Sequence, residues 1–476
     1  MKSMTRYILT AALLAVVLPA LADTVTTARE DRMSVAVTIY NDNLALIKDR
    51  RQIELAKGVQ TLDFREVSGR IRPETALLKA DDLAVLEQNF EFDLLTPAAL
   101  LEKYVGRDVT VVRTHPTTGE ETRQEARVLS ANNGVVLKIG DSIETGVPGR
   151  IVFPDVPENL RDKPTLTMMV DSGSSREQEV ELSYLSGGLG WKADYVAELN
   201  ENDDMLGIRG WVTLTNTSGA AYENALLQLV AGEVNQVGPG DRHRPMMLEE
   251  DSSFKMRAGR SDMVEEEMFA YHLYTLERPT TIKDNQKKQV ALMGAEDVPC
   301  RKELVLSGPG HYFRHKAGEV GLKMKPAVYV EIRNREKDNL GMPLPRGVVR
   351  VYKEDGSGRV QFIGEDRIDH TPKNETIRLK LGESFDVTAD KIQTDFRKIQ
   401  GHSKEDYIYE SSYSIELKNG GGESAEVKVL ETIPGDWQIL EESGKHNKES
   451  SDTVSWTVSV PPEGSKTLTY TVRSKF

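Results

Sequence analysis

The sequence predicts a mainly β protein: a small N-terminal β module and an SH3- or Sm-like barrel, followed by immunoglobulin-like β-sandwich units. Three observations lead there. Apolar and polar residues alternate with period two in most segments, and helical periodicity is scarce. Turn residues also recur at about every 8–12 positions, the spacing a sandwich needs. The 476 residues suffice for several domains, each with its own core. A net charge of −14 without a long basic run argues against nucleic acid and anionic lipid as partners. A single cysteine, Cys300, excludes an intramolecular disulfide, an iron–sulfur cluster and a thiolate zinc cage.

Residues 1–22 read as a signal peptide. Lys2 and Arg6 precede the apolar run Ile8–Leu18, and Ala20-Leu21-Ala22 is a small-x-small cleavage site. Cleavage after Ala22 gives a mature chain starting at Asp23, in the periplasm or outside the cell. No later run reaches the roughly 20 apolar residues of a membrane span, so no transmembrane segment is expected in the mature chain.

Residues 33–95 form the N-terminal β module. Val35, Val37 and Ile39 alternate with polar or small neighbours before the turn Asn41-Asp42-Asn43. Residues 96–157 open with a short helix, Ala98 to Tyr104, because Thr96 can cap it, Pro97 suits a first turn and Gly106 ends it. Strands separated by Pro116–Gly119 and Asn132-Asn133-Gly134 then suggest a small barrel. Residues 165–237 return to sandwich alternation. The stretch 238–269 has no alternation and many methionines, and reads as a flexible linker. Strands resume over 270–404, and 405–476 reads as a C-terminal sandwich.

Several motifs resemble one family. They are YLSGGLGWKADY at Tyr184–Tyr195, GWVTLTNTSG at Gly210–Gly219, YTLERP at Tyr274–Pro279 and PLPRGVVRVY at Pro343–Tyr352. FIGEDRIDHTP at Phe362–Pro372, PGDW at Pro434–Trp437 and LTYTV at Leu468–Val472 complete the set. Together they are similar to a bacterial envelope family known as a domain of unknown function, DUF4139, over roughly residues 180–476. Larger relatives resemble mucoidy-inhibitor proteins with a coiled coil ahead of this domain, which this chain lacks. The resemblance implies no catalytic residues and no cofactor.

Specific catalytic motifs are absent: no P-loop, no G-x-S-x-G elbow and no H-E-x-x-H. Ser252–Lys255 fits S-x-x-K without its companion motifs. Asn200-x-Asn202-x-Asp204 starts like a calcium loop, but Met205 stands where glycine is needed, so a polar hairpin turn is expected. Three clusters remain. Glu365, Asp366, Asp369 and His370 could hold a hard cation or provide a general acid–base pair, if a bend brought them together; otherwise they pair with Arg350, Arg359 and Arg367. His311 and His315, with Cys300 upstream, could serve a metal or a nucleophile. His243, Met246, Met247, Met256, Met263, Met268 and His272 are soft ligands suited to copper(I), or adaptable docking residues. The expected function is non-enzymatic: a secreted or periplasmic envelope protein that binds a protein or glycan. The alternative is a metal-dependent hydrolase using the 365–370 cluster.

Overall fold

The computed structural model describes residues 24–41, 43–91, 94–132, 134–146, 149–157, 160–236, 263–308, 310–400 and 407–476. Residues 1–22, expected as a signal peptide, and positions 238–262 of the expected linker lie outside them. The described residues form strands almost throughout, with one α-helix, Pro97–Lys103. Its N-cap is as expected: Thr96 Oγ1 accepts from the Ala99 amide at 3.1 Å, and Pro97 occupies the first turn.

Two sheets share the largest core. One runs in the order Thr24–Thr27, Gly58–Arg65, Thr165–Ser172, Leu83–Glu91. The other runs Met263–Met268, Tyr271–Leu276, Tyr222–Ala231, Arg32–Tyr40, Leu44–Leu55, Arg176–Ser186, Leu77–Lys79. Period-two alternation sorts their faces: in Arg176–Ser186, Val180, Leu182 and Tyr184 are buried while Glu177 and Glu179 are exposed. Each such side chain contributes roughly 1.5–3 kcal/mol through burial. The segments 33–95 and 165–237, expected as separate units, therefore interleave. Leu44–Leu55 is antiparallel to Arg176–Ser186, and Arg32–Tyr40 is parallel to Tyr222–Ala231. Alternation fixes which face of a strand is buried, not which neighbour it pairs with.

A ten-stranded sheet continues the same core. From one end its strands run Val360–Ile368, Gly347–Glu354, Leu189–Leu199, Met205–Asn216 and Gln286–Ser307, in that order. The last of these spans 22 residues. Its first part pairs with Met205–Asn216, and its end pairs with Ala327–Arg333 and, in parallel, with Ala425–Thr432. It thereby passes from the first core into a second. There a five-stranded sheet, Glu319–Met324, Val387–Gln400, Tyr407–Asn419, Gly464–Lys475 and Asp436–Glu442, shares a core with Ala425–Thr432 and Thr453–Val460. The C-terminal unit thus draws in strands before residue 405. Trp456 stacks on Tyr470 at 4.6 Å and Tyr470 on Tyr413 at 5.2 Å. Each stack adds roughly 0.5–1.5 kcal/mol beyond burial.

Residues 96–157 have their own small core around Tyr104, Val111, Val128 and Leu137. The barrel expected there is not closed. Its five strands run Ser142–Thr145, Val136–Ile139, Glu121–Ser130, Asp108–Thr114, Arg150–Val152, and the two outer ones do not pair. With four and three residues, these outer strands each have one neighbour among the described residues. The linker expected over 238–269 also ends earlier than its composition suggested. Met263–Met268 forms a hairpin with Tyr271–Leu276, closed by Phe269 at φ 61°, because Met263 is buried against the first core.

Charged groups are buried in both cores. Asp49 accepts from Arg32 at 2.7 and 3.0 Å and from Arg51 at 2.9 Å, and Arg51 lies 3.8 Å over the Phe64 ring. In the second core Lys391, Glu431 and Tyr312 bond to one another.

Candidate functional site

The acidic cluster does not converge. Glu365 and Asp366 lie in the Val360–Ile368 strand, just after Gly364, whose φ of +152° sits beside an irregularity in the pairing with Gly347–Glu354. A Cβ at Gly364 would meet the Leu381 carbonyl oxygen at 2.4 Å, so the position requires glycine. Glu365 faces Arg350 Nε at 3.1 Å. Asp366 accepts from the backbone amides of Arg367 at 2.8 Å and Lys380 at 2.7 Å. It ties this strand to Thr376–Glu383, which bears Lys380. The strand ends at Ile368, so Asp369 and His370 leave its alternation, and the Asp369 carbonyl accepts from Thr371. Of the three arginines expected to balance the cluster, Arg350 does so; Arg359 faces Asp355 at 3.7 Å. Among the described residues, no three His, Cys, Asp or Glu side chains are arranged to hold a metal ion.

His370 instead joins residues from distant segments. Its Nδ1 accepts from the Arg346 amide at 3.3 Å, and its Nε2 lies 3.5 Å from the Asn41 amide nitrogen. The Arg346 guanidinium is 3.9 Å from Glu233, whose carbonyl accepts from Tyr271 at 3.3 Å. His272 on the neighbouring hairpin is bonded to Glu265 at 2.8 Å. Burial, and then the Arg346 cation, holds the His370 pKa below the ordinary histidine value. The imidazole is therefore neutral near pH 7.

The other shared motifs build the frame around it. Tyr195 donates to the Pro345 carbonyl at 2.8 Å and Tyr274 to that of Pro343 at 3.1 Å, fixing the loop that carries Arg346. Gly188, at φ +82°, packs against Ser218, where a Cβ would come within 2.7 Å of the backbone. Its amide donates to Asn43 Oδ1 at 2.8 Å, and its carbonyl accepts from the Thr217 amide at 2.7 Å. The glycine-rich turn, the Asn-Thr-Ser-Gly turn and the Asn41–Asn43 turn thus interlock.

The remaining candidates separate. Half-buried Cys300 points at the Asp203 carbonyl, and burial together with Asp203 and Asp204 pushes its thiol up to about 12, unsuited to a thiolate nucleophile. The neighbouring cations are engaged elsewhere, since Arg301 pairs with Glu303 and Lys302 with Asp203. His315 follows the 3-10 helix Gly310–Arg314; the side chain of His311 lies outside the described residues, as do His243, Met246, Met247, Met256 and the Ser252–Lys255 motif. Asn200–Asp204 is a hairpin turn in which Asn200 Oδ1 accepts from the amides of Asp204 and Met205.

One element was not singled out by the sequence. Leu83–Glu91 pairs with Thr165–Ser172 along one side, and no described strand pairs with its other side. Val85 is 39% and Leu86 55% exposed on it. It contains no proline and no lysine, two residues that commonly protect such edges. Asp81, Asp82 and Glu87, all exposed, make its surroundings acidic.

The architecture defines an all-β, multi-sheet protein in which the shared motifs hold turns and loops in place. Residues 180–476, more than half of the chain, match the model of the family described as Domain of unknown function (DUF4139). The chain belongs to that family. Outside the matched region, Arg32–Tyr40 pairs with Tyr222–Ala231 inside it, and Leu44–Leu55 pairs with Arg176–Ser186, which runs into it. A comparison with curated proteins finds no match.

Proposed function

We propose that this chain is a secreted or periplasmic, non-enzymatic binding protein of the cell envelope. In this reading the Leu83–Glu91 edge receives an extended segment of a protein partner. The observation that carries the reading is the unpaired edge itself. An exposed strand offers a row of backbone donors and acceptors that an added strand can satisfy, while pockets or patches for alternate side chains give selectivity. Nine residues span about 30 Å at roughly 3.3 Å each, enough for one peptide strand. The fitting partner is an extended segment with apolar residues against Val85 and Leu86 and a basic residue near Glu87. The leader expected over residues 1–22 and the family resemblance support the envelope setting. A glycan partner is the other form of this reading, and it would not need the backbone edge.

The test uses the full mature chain as bait in envelope extract, with Leu86→Lys beside it. The substitution is at an exposed position and should change stability by less than about 0.5 kcal/mol. The expected result is a stoichiometric protein partner that binds wild type, protects the 83–91 amides from hydrogen exchange, and is lost with Leu86→Lys at unchanged Tm. A partner or glycan retained by the variant, with no protection over 83–91, would overturn strand addition.

A further inference from the structure

From the second core we infer that Lys391 and Glu431 are positioned to condense into an intramolecular amide joining the two sheets of the C-terminal unit. Lys391 belongs to Val387–Gln400 of the five-stranded sheet, and Glu431 to Ala425–Thr432 of the ten-stranded sheet. Both side chains are almost completely buried. Lys391 Nζ bonds to Glu431 Oε1 and to the Tyr312 hydroxyl, and that hydroxyl donates to Glu431 Oε2. One phenol therefore touches both the nucleophile and the carboxyl group.

Aromatic rings enclose the pair and keep water away from it. Nζ lies 4.2 Å from the Tyr312 ring centroid, 5.0 Å from that of Tyr413 and 5.8 Å from that of Tyr470. Gln393 fixes the arrangement by donating to the Tyr413 hydroxyl at 3.2 Å and the Tyr312 carbonyl at 3.4 Å. Burial lowers the Lys391 pKa against the opposing pull of Glu431. In such a low-dielectric site a proton passes from ammonium to carboxylate more readily than in water.

The step balances without a co-reactant. Proton transfer from the Lys391 ammonium to Glu431 gives an amine and a carboxylic acid. The Nζ lone pair then attacks Glu431 Cδ. The second proton leaves Nζ through the Tyr312 hydroxyl to the departing oxygen, the Cδ–O bond breaks, and one water is released. The product is an Nζ–Cδ amide with Tyr312 unchanged. With one cysteine in the whole chain, a disulfide cannot make such a link.

Peptide mapping of the purified wild-type protein tests this. If the amide forms, trypsin releases residues 381–397 and 429–445 as one species, lighter by one water than the two peptides together, and fragmentation places the link at Lys391 and Glu431. Recovery of the two segments only as separate peptides, with Lys391 available for cleavage, would overturn the inference without requiring any variant to fold. Tyr312→Phe, refolded beside wild type, should show a smaller joined fraction at a fixed time. An equal fraction would remove Tyr312 from the proton path.

Discussion

Asp49 sits between two guanidiniums in the interior, and Arg51 has little else to face besides the Phe64 ring and the Arg65 carbonyl. Removing the carboxylate leaves two buried cations without their counter-charge. Asp49→Ala should cost about 3–5 kcal/mol, the usual penalty for breaking a buried pair from one side, measured as a lower urea midpoint at unchanged slope. His370 offers a second measurement. Its folded pKa lies below the unfolded value of about 6.5, so the unfolded chain takes up the proton first. Stability from this group is therefore complete above pH 6.5 and falls as pH drops below it. Comparing Tm of wild type and His370→Asn from pH 8 to pH 5 should show the wild type losing ground as the solution becomes more acid. A constant difference would mean that His370 does not titrate differently on folding. The sequence singled out His370, but neither the buried Asp49 group nor the buried Lys391–Glu431 group was legible in it. Lys391 and Gln393 stand at the buried alternate positions set by Val387 and Ala389, and Glu431 follows Val427 and Val429 in the same phase. A polar residue in the inward phase of a strand was the available signal.

Single elements were much easier to read than their pairings. Val35, Val37 and Ile39 alternate as a strand should, and the Thr96-Pro97 start of the helix follows from local capping chemistry. Thr96→Ala should accordingly destabilise the 96–157 unit by about 1 kcal/mol, seen as a lower melting temperature of that unit. The parallel pairing of Leu189–Leu199 with Gly347–Glu354 has no comparable local trace, since it joins residues some 150 positions apart. The same limit hid the surroundings of His370, which come from the segments of Asn41, Glu233 and Arg346. Composition also misled at Met263–Met268. Three consecutive glutamates look unlike a strand, yet burial of Met263 and pairing with Tyr271–Leu276 outweigh them.

At the scale of the molecule, the 96–157 unit is an insertion. Leu83–Glu91 and Thr165–Ser172, which flank it, pair with each other, and its core is its own. Replacing residues 96–157 by a short Gly/Ser linker should leave the remaining chain cooperatively folded, with a single melting transition; broad melting would show that the unit braces its host. The interleaved sheets have another effect, on the order in which the protein can be completed. Arg32–Tyr40 and Leu44–Leu55 can close on each other as soon as they are made, but Ala36 meets Leu226 only after 190 further residues (226 − 36). At about 5–20 residues per second that interval is roughly 10 to 40 s. Through it the Arg32–Tyr40 edge of the first hairpin stays open, and the Leu44–Leu55 edge stays open until Arg176–Ser186 is made, so the nascent chain has to be shielded from other chains until its later strands arrive.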